Sequence, residues 1–115
     1  MNVIFGDSAG IPEKYIVLNL DIFYVAQREQ YLPSYCVIES MPLAEMFTAD
    51  KWRDTHNEMM LEYRKRNWDF VEQAIEQLRG RWNGEVDSFY DEILRRVGEF
   101  RLSPPELSWD GTVVR

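Results

Sequence analysis

The hydrophobic pattern of the chain changes its period once, close to Pro42. Before that point, residues 15–25 and 34–39 are rich in β-branched and aromatic side chains, which predicts two β-strands. The segment between them, residues 26–33, is polar and ends in Pro33, so we expect a turn that joins the strands into an antiparallel hairpin. An isolated hairpin is only marginally stable in water, so it must lie against helices or against a second copy of the chain.

After Pro42, apolar residues recur at spacings of three and four, which predicts three helices. Asp50 is placed to cap the first helix, Gly80 to stop the second, and Pro104 to end the third. The apolar face of the first helix contains Trp52, His56, Met59, Met60 and Tyr63. That of the second contains Val71, Ala74, Ile75 and Leu78. The clearest stripe belongs to the third and contains Val86, Phe89, Tyr90, Ile93, Leu94, Val97 and Phe100.

These patterns predict an α+β fold in a single domain of 115 residues. A loop and an N-terminal antiparallel β-hairpin occupy residues 1–42, and the hairpin packs on a C-terminal three-helix bundle in residues 43–103. Residues 1–12 have the glycine, serine, aspartate and proline content of a loop. A tail follows in residues 104–115, and we expect it to fold Trp109 back onto the helices, because a free indole would leave a large apolar area in water.

Charge and composition exclude several classes of protein. Thirteen basic and twenty acidic residues give a net charge of −7, which argues against binding to duplex nucleic acid. The apolar runs are far shorter than the roughly 20 residues of a membrane helix. The first ten residues carry no basic group, so they predict no signal peptide. The single cysteine, Cys36, has no internal disulfide partner, which favours a reducing, cytoplasmic location.

Several short motifs follow one another along the chain. They are Leu20-Asp21-Ile22-Phe23-Tyr24-Val25, Pro33-Ser34-Tyr35-Cys36-Val37, Tyr63-Arg64-Lys65-Arg66-Asn67-Trp68-Asp69, the pair Asp87 and Arg96, Pro104-Pro105 and Trp109-Asp110-Gly111. In this order, residues 18–113 resemble the C-terminal end of bacterial class III adenylate/guanylate cyclases. In that family the last β-hairpin of the catalytic domain is followed by a tetratricopeptide-like helical tail.

The resemblance implies a helical scaffold whose last two helices approach a tetratricopeptide-like pair. It departs from the family at the hairpin turn, where Ala26-Gln27-Arg28 replaces a Lys-Gly-Lys motif, and at Val71, where the family has a small residue. The part of a cyclase that binds metal and nucleotide lies upstream of this hairpin, and this sequence offers no counterpart. The resemblance therefore argues against cyclase activity and implies no cofactor.

The candidates for chemistry are few. His56 is the only histidine and lies on the apolar face of the first helix, which favours a packed, hydrogen-bonded residue over a pH switch. Cys36 lies within a strand and has no cationic neighbour, which favours a buried thiol over a nucleophile. The sequence also lacks the paired cysteines and histidines of a transition-metal site, so we expect none.

Three pairs of carboxylates occur at helical spacing, Glu58/Glu62, Glu72/Glu76 and Asp87/Asp91. Each lies opposite an apolar stripe, which favours solvated faces over general acid–base catalysis. The pentapeptide from Gly6 to Gly10 fits the Gly-x-Ser-x-Gly pattern of a hydrolase elbow. However, Val3-Ile4-Phe5 offers only a very short preceding strand, and a hydrolase sheet does not fit in a chain of this size.

The basic cluster Arg64-Lys65-Arg66, with Trp68 beside it, is a candidate RNA contact. Its position at the end of the first helix explains it equally well, since cations there complement the helix dipole. In an acidic chain we favour the helix-end interpretation and expect no nucleic-acid partner.

We therefore expect a non-catalytic protein-interaction or regulatory module with an unidentified protein partner. The high aromatic content, 14% of residues, exceeds what a core alone requires, and the expected contact residues are Tyr24, Tyr35, Trp52, Trp68 and Trp82. Open edges of the hairpin also favour strand pairing, including a homo-oligomer. The alternative is a small enzyme or ligand-binding protein that uses His56 with Glu58 or Tyr63 in a pocket between the hairpin and the helices.

Overall fold

The α+β prediction is confirmed by a computed structural model, which describes residues 1–6, 10–12, 14–39, 41 and 43–115. The strands are β1 (Asn2–Phe5), β2 (Ile16–Val25), β3 (Gln30–Ile38) and β4 (Val113–Val114). The helices are α1 (Leu43–Met46), α2 (Ala49–Arg64), α3 (Trp68–Leu78) and α4 (Asp87–Leu102). No helix in the described part of the chain is long and apolar enough to cross a lipid bilayer.

The sheet is larger than the predicted hairpin. Its strand order is β1-β3-β2-β4, with β3 antiparallel to both β1 and β2 and with β4 parallel to β2. The loop predicted for residues 1–12 is therefore wrong over Asn2–Phe5, and the tail contributes a strand of its own. Both added strands are short and owe their conformation to pairing with the hairpin, which local sequence does not reveal.

The hairpin turn is tighter than expected. It occupies a 3-10 turn at Ala26–Arg28 followed by Glu29, whose φ of 48° is left-handed. The polar residues Gln30 and Tyr31 belong to β3, because at the exposed end of the hairpin cross-strand pairing suffices without burial. The predicted turn over residues 26–33 is thus correct only in its first half.

An irregularity in β2 positions the acidic member of an ion pair. The pairing with β3 shifts register between Asn19 and Ile22. Inside the shift, the Ser34 hydroxyl donates a hydrogen bond of 2.7 Å to the Asp21 carbonyl oxygen. Such a bulge redirects side chains, and the Asp21 carboxylate contacts Arg96 of α4.

One hydrophobic core joins the sheet to the helices. Its fully buried members include Leu18 and Cys36 from the sheet and Met59, Val71, Ile75, Leu78, Ile93 and Val97 from the helices. The three predicted long helices are all present, and Gly80 follows the second with a φ of +83°. Asp50 does not cap the first, because α2 begins at Ala49 and places Asp50 within its first turn.

The tail packs as predicted. The Trp109 ring lies 5.5 Å from that of Tyr63 and 5.1 Å from that of Phe100, measured between centroids, and Trp68 completes the cluster. Arg66 fixes the tail by donating hydrogen bonds to the carbonyl oxygens of Pro105 and Glu106. The prediction that Trp109 returns to the helices is confirmed.

Candidate protein-interaction site

A buried chain of hydrogen bonds crosses the core at His56. The indole N–H of Trp82 donates to the Tyr90 hydroxyl at 3.2 Å. The Tyr90 hydroxyl in turn lies 2.9 Å from His56 Nδ1, and His56 Nε2 lies 2.6 Å from the Asn19 carbonyl oxygen. Because the Asn19 carbonyl oxygen can only accept, Nε2 of the neutral ring carries the proton and donates to it, and Nδ1 accepts from the Tyr90 hydroxyl. Every polar atom in this chain is therefore paired.

His56 is neutral in the folded protein. Burial lowers the pKa of its imidazole from the ordinary 6.5 to about 4, and the hydrogen bond to the Asn19 backbone offsets only part of this. The side chain has no exposed surface. The pocket proposed around His56 with Glu58 or Tyr63 is thus replaced by solid packing, and a substrate has no access to the imidazole.

The same segment of α2 closes one edge of the sheet. In addition to His56, the side-chain oxygen of Asn57 accepts a hydrogen bond of 2.8 Å from the Asn19 backbone N–H. Both backbone groups of Asn19 point away from β3, and β4 pairs with β2 only at Phe23 and Tyr24. Side chains of α2 therefore take the place of a neighbouring strand where β4 does not reach.

The opposite edge of the sheet is formed by β1. Its outer side has no neighbouring strand among the described residues. All four residues of the strand are exposed, and the Phe5 side chain retains 57% of its accessible surface. The sequence Asn-Val-Ile-Phe contains no charge and no proline, the features that usually protect edge strands from pairing with other chains.

The hydrogen-bond pattern identifies which groups of β1 are free. Gly6 N–H donates to the Pro33 carbonyl oxygen at 2.9 Å, so Gly6 faces β3. Bonded and non-bonded pairs alternate along an antiparallel ladder, and so Ile4 faces β3 while the backbone groups of Val3 and Phe5 point outward. The β2 side of β3 agrees with this assignment. Tyr35 is paired with both Asn19 and Ile4, and because the backbone groups of Asn19 point away from β3, those of Tyr35 point towards Ile4.

The five predicted contact aromatics do not form one surface. Trp82 is 3% exposed and has no surface with which to contact a partner, so we remove it from the expected contact residues. Trp68 is half-buried within the Tyr63 aromatic cluster. Trp52 is half-buried beneath the Arg81 guanidinium, 3.5 Å from the ring centroid. The buried indoles and rings stabilise the core and the tail, which is the more frequent role of such residues.

The two remaining aromatics, Tyr24 and Tyr35, are half-buried on the sheet. Tyr24 packs against Tyr31 across the hairpin, with ring centroids 5.0 Å apart. Tyr35 is paired with Ile4 and is the only one of the five to border β1. The sequence did suggest a very short strand at Val3-Ile4-Phe5, and nothing in the pattern marked it as the outer edge.

The hairpin edges expected to be open are occupied. The outer edge of β3 is paired with β1, and that of β2 is covered by β4 and by α2. Strand pairing with another chain at either edge of the hairpin would have to compete with these neighbours. The open edge lies one strand further out, on β1.

The other chemical candidates are dispersed. Cys36 is buried as predicted, and burial raises the pKa of its thiol to about 11. Within the described ranges, no three His, Cys, Asp or Glu side chains converge as a metal site. The central residues of the pentapeptide from Gly6 to Gly10, residues 7–9, lie outside the described residues.

The paired carboxylates lie on helix surfaces, although Glu62 and Asp87 are half-buried. Glu62 accepts a hydrogen bond from the Asn67 side chain, and Asp87 accepts one from the Gly80 backbone N–H. The first contact lies where α2 ends and α3 begins, and the second links the end of α3 to the start of α4. In the basic cluster, Arg66 is engaged by the tail, as described above.

Comparisons with known proteins found no relative. No protein-family model matches the chain. No curated protein and no solved structure matches it either. The resemblance to class III cyclases thus receives no support beyond its motifs.

Proposed function

We propose that this protein is a non-catalytic protein-interaction module that associates with a second copy of itself by pairing β1 with β1. The supporting observation is the contrast between the two edges of the sheet. One edge is closed by β4 and by the side chains of His56 and Asn57, whereas the other exposes Val3 and Phe5 with free backbone groups. Inaccessibility of His56 and Cys36 supports the absence of catalysis.

The free groups define a register for the pair. A two-fold axis normal to the sheet, midway between the Ile4 residues of the two copies, places Val3 of each copy opposite Phe5 of the other. Because the outward N–H and C=O groups belong to these two residues, this register forms about four intermolecular hydrogen bonds. It also brings the two Ile4 side chains together on one face, and Val3 and Phe5 together on the other. A register shifted by one residue offers neither set of contacts.

Charge is compatible with pairing at this edge. Neither β1 nor the paired residues 34–37 of β3 carry a charged side chain. The net charge of −7 on each copy opposes association at longer range, and salt screens that repulsion. We therefore expect the dimer to strengthen when the ionic strength rises from about 0.02 M to about 0.2 M.

The interface is short, since each copy contributes a four-residue strand. Stable dimers bury on the order of 1,000 Å² or more, so a contact of this length favours a reversible dimer with a dissociation constant of about 10–100 μM. Such an affinity suits a regulatory role, in which local concentration controls assembly. We place this role in the cytoplasm, where a single buried thiol needs no partner.

Sedimentation equilibrium of the full chain, from about 5 μM to about 1 mM, tests the proposal. Val3→Pro removes an outward N–H that the protein's own sheet does not use, and Phe5→Lys introduces a charge at the edge. Both are expected to weaken the dimer at least tenfold while the melting temperature stays within a few degrees. The matched control is Phe47→Lys, at a phenylalanine that is 86% exposed and lies outside β1.

Retention of the dimer in both edge variants contradicts the proposed surface. A monomeric wild-type chain at every concentration contradicts self-association altogether. Loss of the dimer in Phe47→Lys as well shows that general surface hydrophobicity, rather than β1, drives association.

A further inference from the structure

A cavity of about 430 Å³ lies where the beginning of β2, at Ile16, and the end of β3, at Ile38, meet the start of α2. The two isoleucines are paired across the strands. They lie two residues along their strands from Leu18 and Cys36, which belong to the core. Because side chains two residues apart share a face of a sheet, both isoleucines point towards the helices. The cavity is therefore an opening at one end of the hydrophobic core.

Five apolar residues contribute to the lining of this cavity. Ile38 and Ala49 belong to the buried core, and Ile16 and Met41 pack against it. The fifth is Met46 of α1, whose side chain is 57% exposed. Methionine side chains are unbranched and flexible, and their thioether sulfurs make favourable contacts with aromatic rings. The two methionines therefore allow the lining to adapt to a ligand and favour an aromatic one.

The charged residues of the described lining balance one another. They are two cations, Lys14 and Arg53, and two anions, Glu39 and Asp50. The Arg53 guanidinium donates hydrogen bonds of 3.1 Å to the carboxylates of Asp50 and Asp54, so its charge is already compensated. Lys14 and Glu39 are exposed, so water solvates both charges. A charged ligand would lose hydration here without meeting an excess of opposite charge, which disfavours ionic ligands.

We propose that this cavity, the Met46 pocket, binds an uncharged aromatic small molecule. Its volume of about 430 Å³ lies within the range of roughly 300–1,000 Å³ that is typical of small-molecule sites. The rings of the ligand pack against the isoleucines and the methionine sulfurs, which removes apolar surface of both partners from water. The described lining includes no residue of β1, so the site does not depend on self-association.

A fluorescence titration of N-phenyl-1-naphthylamine with the full chain tests the site. This dye is aromatic and uncharged, and its emission rises in apolar surroundings. We expect saturable binding with a dissociation constant on the order of 10–100 μM. The dye 8-anilino-1-naphthalenesulfonate has the same ring system with an added negative charge, and it should bind at least fivefold more weakly. Equal affinity for the anionic dye would contradict the proposed class of ligand.

Substitutions in the lining separate the cavity from the surface around it. Met46→Glu introduces a charge at the cavity wall and should weaken dye binding at least tenfold. The matched control is Phe47→Glu, at the next residue, which is 86% exposed and does not line the cavity, and its affinity should stay within twofold. Ala49→Leu extends a wall residue into the cavity and should weaken binding at least fivefold.

An equal loss of affinity in Phe47→Glu and Met46→Glu would assign the dye to the exposed surface of this segment and overturn the proposal. Unchanged affinity in folded Met46→Glu and Ala49→Leu chains would overturn it as well.

Intermolecular nuclear Overhauser effects locate the dye directly. In the ¹³C-labelled full chain we expect contacts from the dye ring protons to the methyl groups of Ile16, Ile38 and Ala49. The same contacts and the same affinity should persist in Phe5→Lys, the variant that weakens pairing through β1. Dye contacts confined to Val3 and Phe5 would place the dye at the β1 edge and contradict the proposed site.

Discussion

Arg96 of α4 donates two hydrogen bonds to the carboxylate of Asp21, from Nη1 to Oδ1 at 2.8 Å and from Nη2 to Oδ2 at 3.0 Å. The two residues are 75 positions apart, and both side chains are largely buried. Burial opposes the charge on Arg96, but the hydrogen bonds that it donates to Asp21 and Tyr63 outweigh this effect, so the pKa of the guanidinium lies above its usual value. The pair joins the last long helix to the irregular point of the sheet.

Removal of one member of this pair should destabilise the fold strongly. Arg96→Met leaves the Asp21 carboxylate buried without compensation, and we expect a loss of about 3 kcal/mol in the free energy of unfolding. The double change to Arg96→Met with Asp21→Leu should cost less than the sum of the single changes, because no orphaned charge remains. Urea unfolding of the four chains measures both effects, and strict additivity would show that the pair is not coupled.

Acid should weaken the fold through His56. Its folded-state pKa of about 4 lies below the ordinary 6.5, so the unfolded chain takes up the proton first as the pH falls. The stability contributed by neutral His56 is complete above pH 6.5 and decreases as the pH falls towards 4, by about 3 kcal/mol in total. Urea unfolding between pH 7.5 and pH 5 measures the slope. In His56→Gln the slope over this range should be much reduced, and an unchanged slope would assign it to other groups.

Asn57 should contribute to the stability of the fold, because its side chain pairs with a backbone group at the edge of β2. Asn57→Leu removes the acceptor for the Asn19 N–H, and we expect a loss of about 1–2 kcal/mol in the free energy of unfolding. Asn57→Asp keeps an oxygen at the same position and should retain most of the stability at neutral pH. Equal stability of Asn57→Leu and the wild type would show that water serves the Asn19 N–H equally well.

The sequence predicted most of what is local in this fold. Helical periodicity predicts all three long helices, and the position of His56 on the apolar face of the first helix predicts its burial. Trp109 was expected to return to the helices because an exposed indole is unfavourable. In each case the pattern of neighbouring residues determines the outcome, so a single sequence suffices.

What the sequence missed depends on partners distant in the chain. The sequence suggests a very short strand at Val3-Ile4-Phe5 but does not show that it pairs with β3. It gives no sign of β4, in which Val113 pairs with Phe23 some ninety residues earlier. The buried role of Trp82 comes from its bond to Tyr90, which periodicity cannot distinguish from surface exposure. The sequence therefore favours strand pairing at the edges of the hairpin, although the open edge among the described strands belongs to β1.

Gly111 should resist substitution for two separate reasons. Its φ of +88° disfavours any side chain, and a Cβ there would collide with the Arg64 stem. Gly80 has a similar φ of +83° but no atom within 4 Å of an added Cβ, so a substitution there measures the cost of the backbone conformation alone. We expect Gly80→Ala to cost about 1 kcal/mol and Gly111→Ala about 1–2 kcal/mol more in thermal or urea unfolding. Equal costs would show that the tail moves away from Arg64 freely.

Amide hydrogen exchange at β1 tests the central claim most directly, because it reports on individual backbone groups. The rates of Val3, Ile4 and Phe5 are compared at about 5 μM and about 1 mM, below and above the expected dissociation constant. Ile4 bonds to β3 within its own chain and should be protected equally at both concentrations. Val3 and Phe5 should exchange at least fivefold more slowly at the higher concentration, and in Val3→Pro the Phe5 amide should lose this dependence. Rates for Val3 and Phe5 that stay the same at both concentrations would contradict pairing of β1 with a second copy.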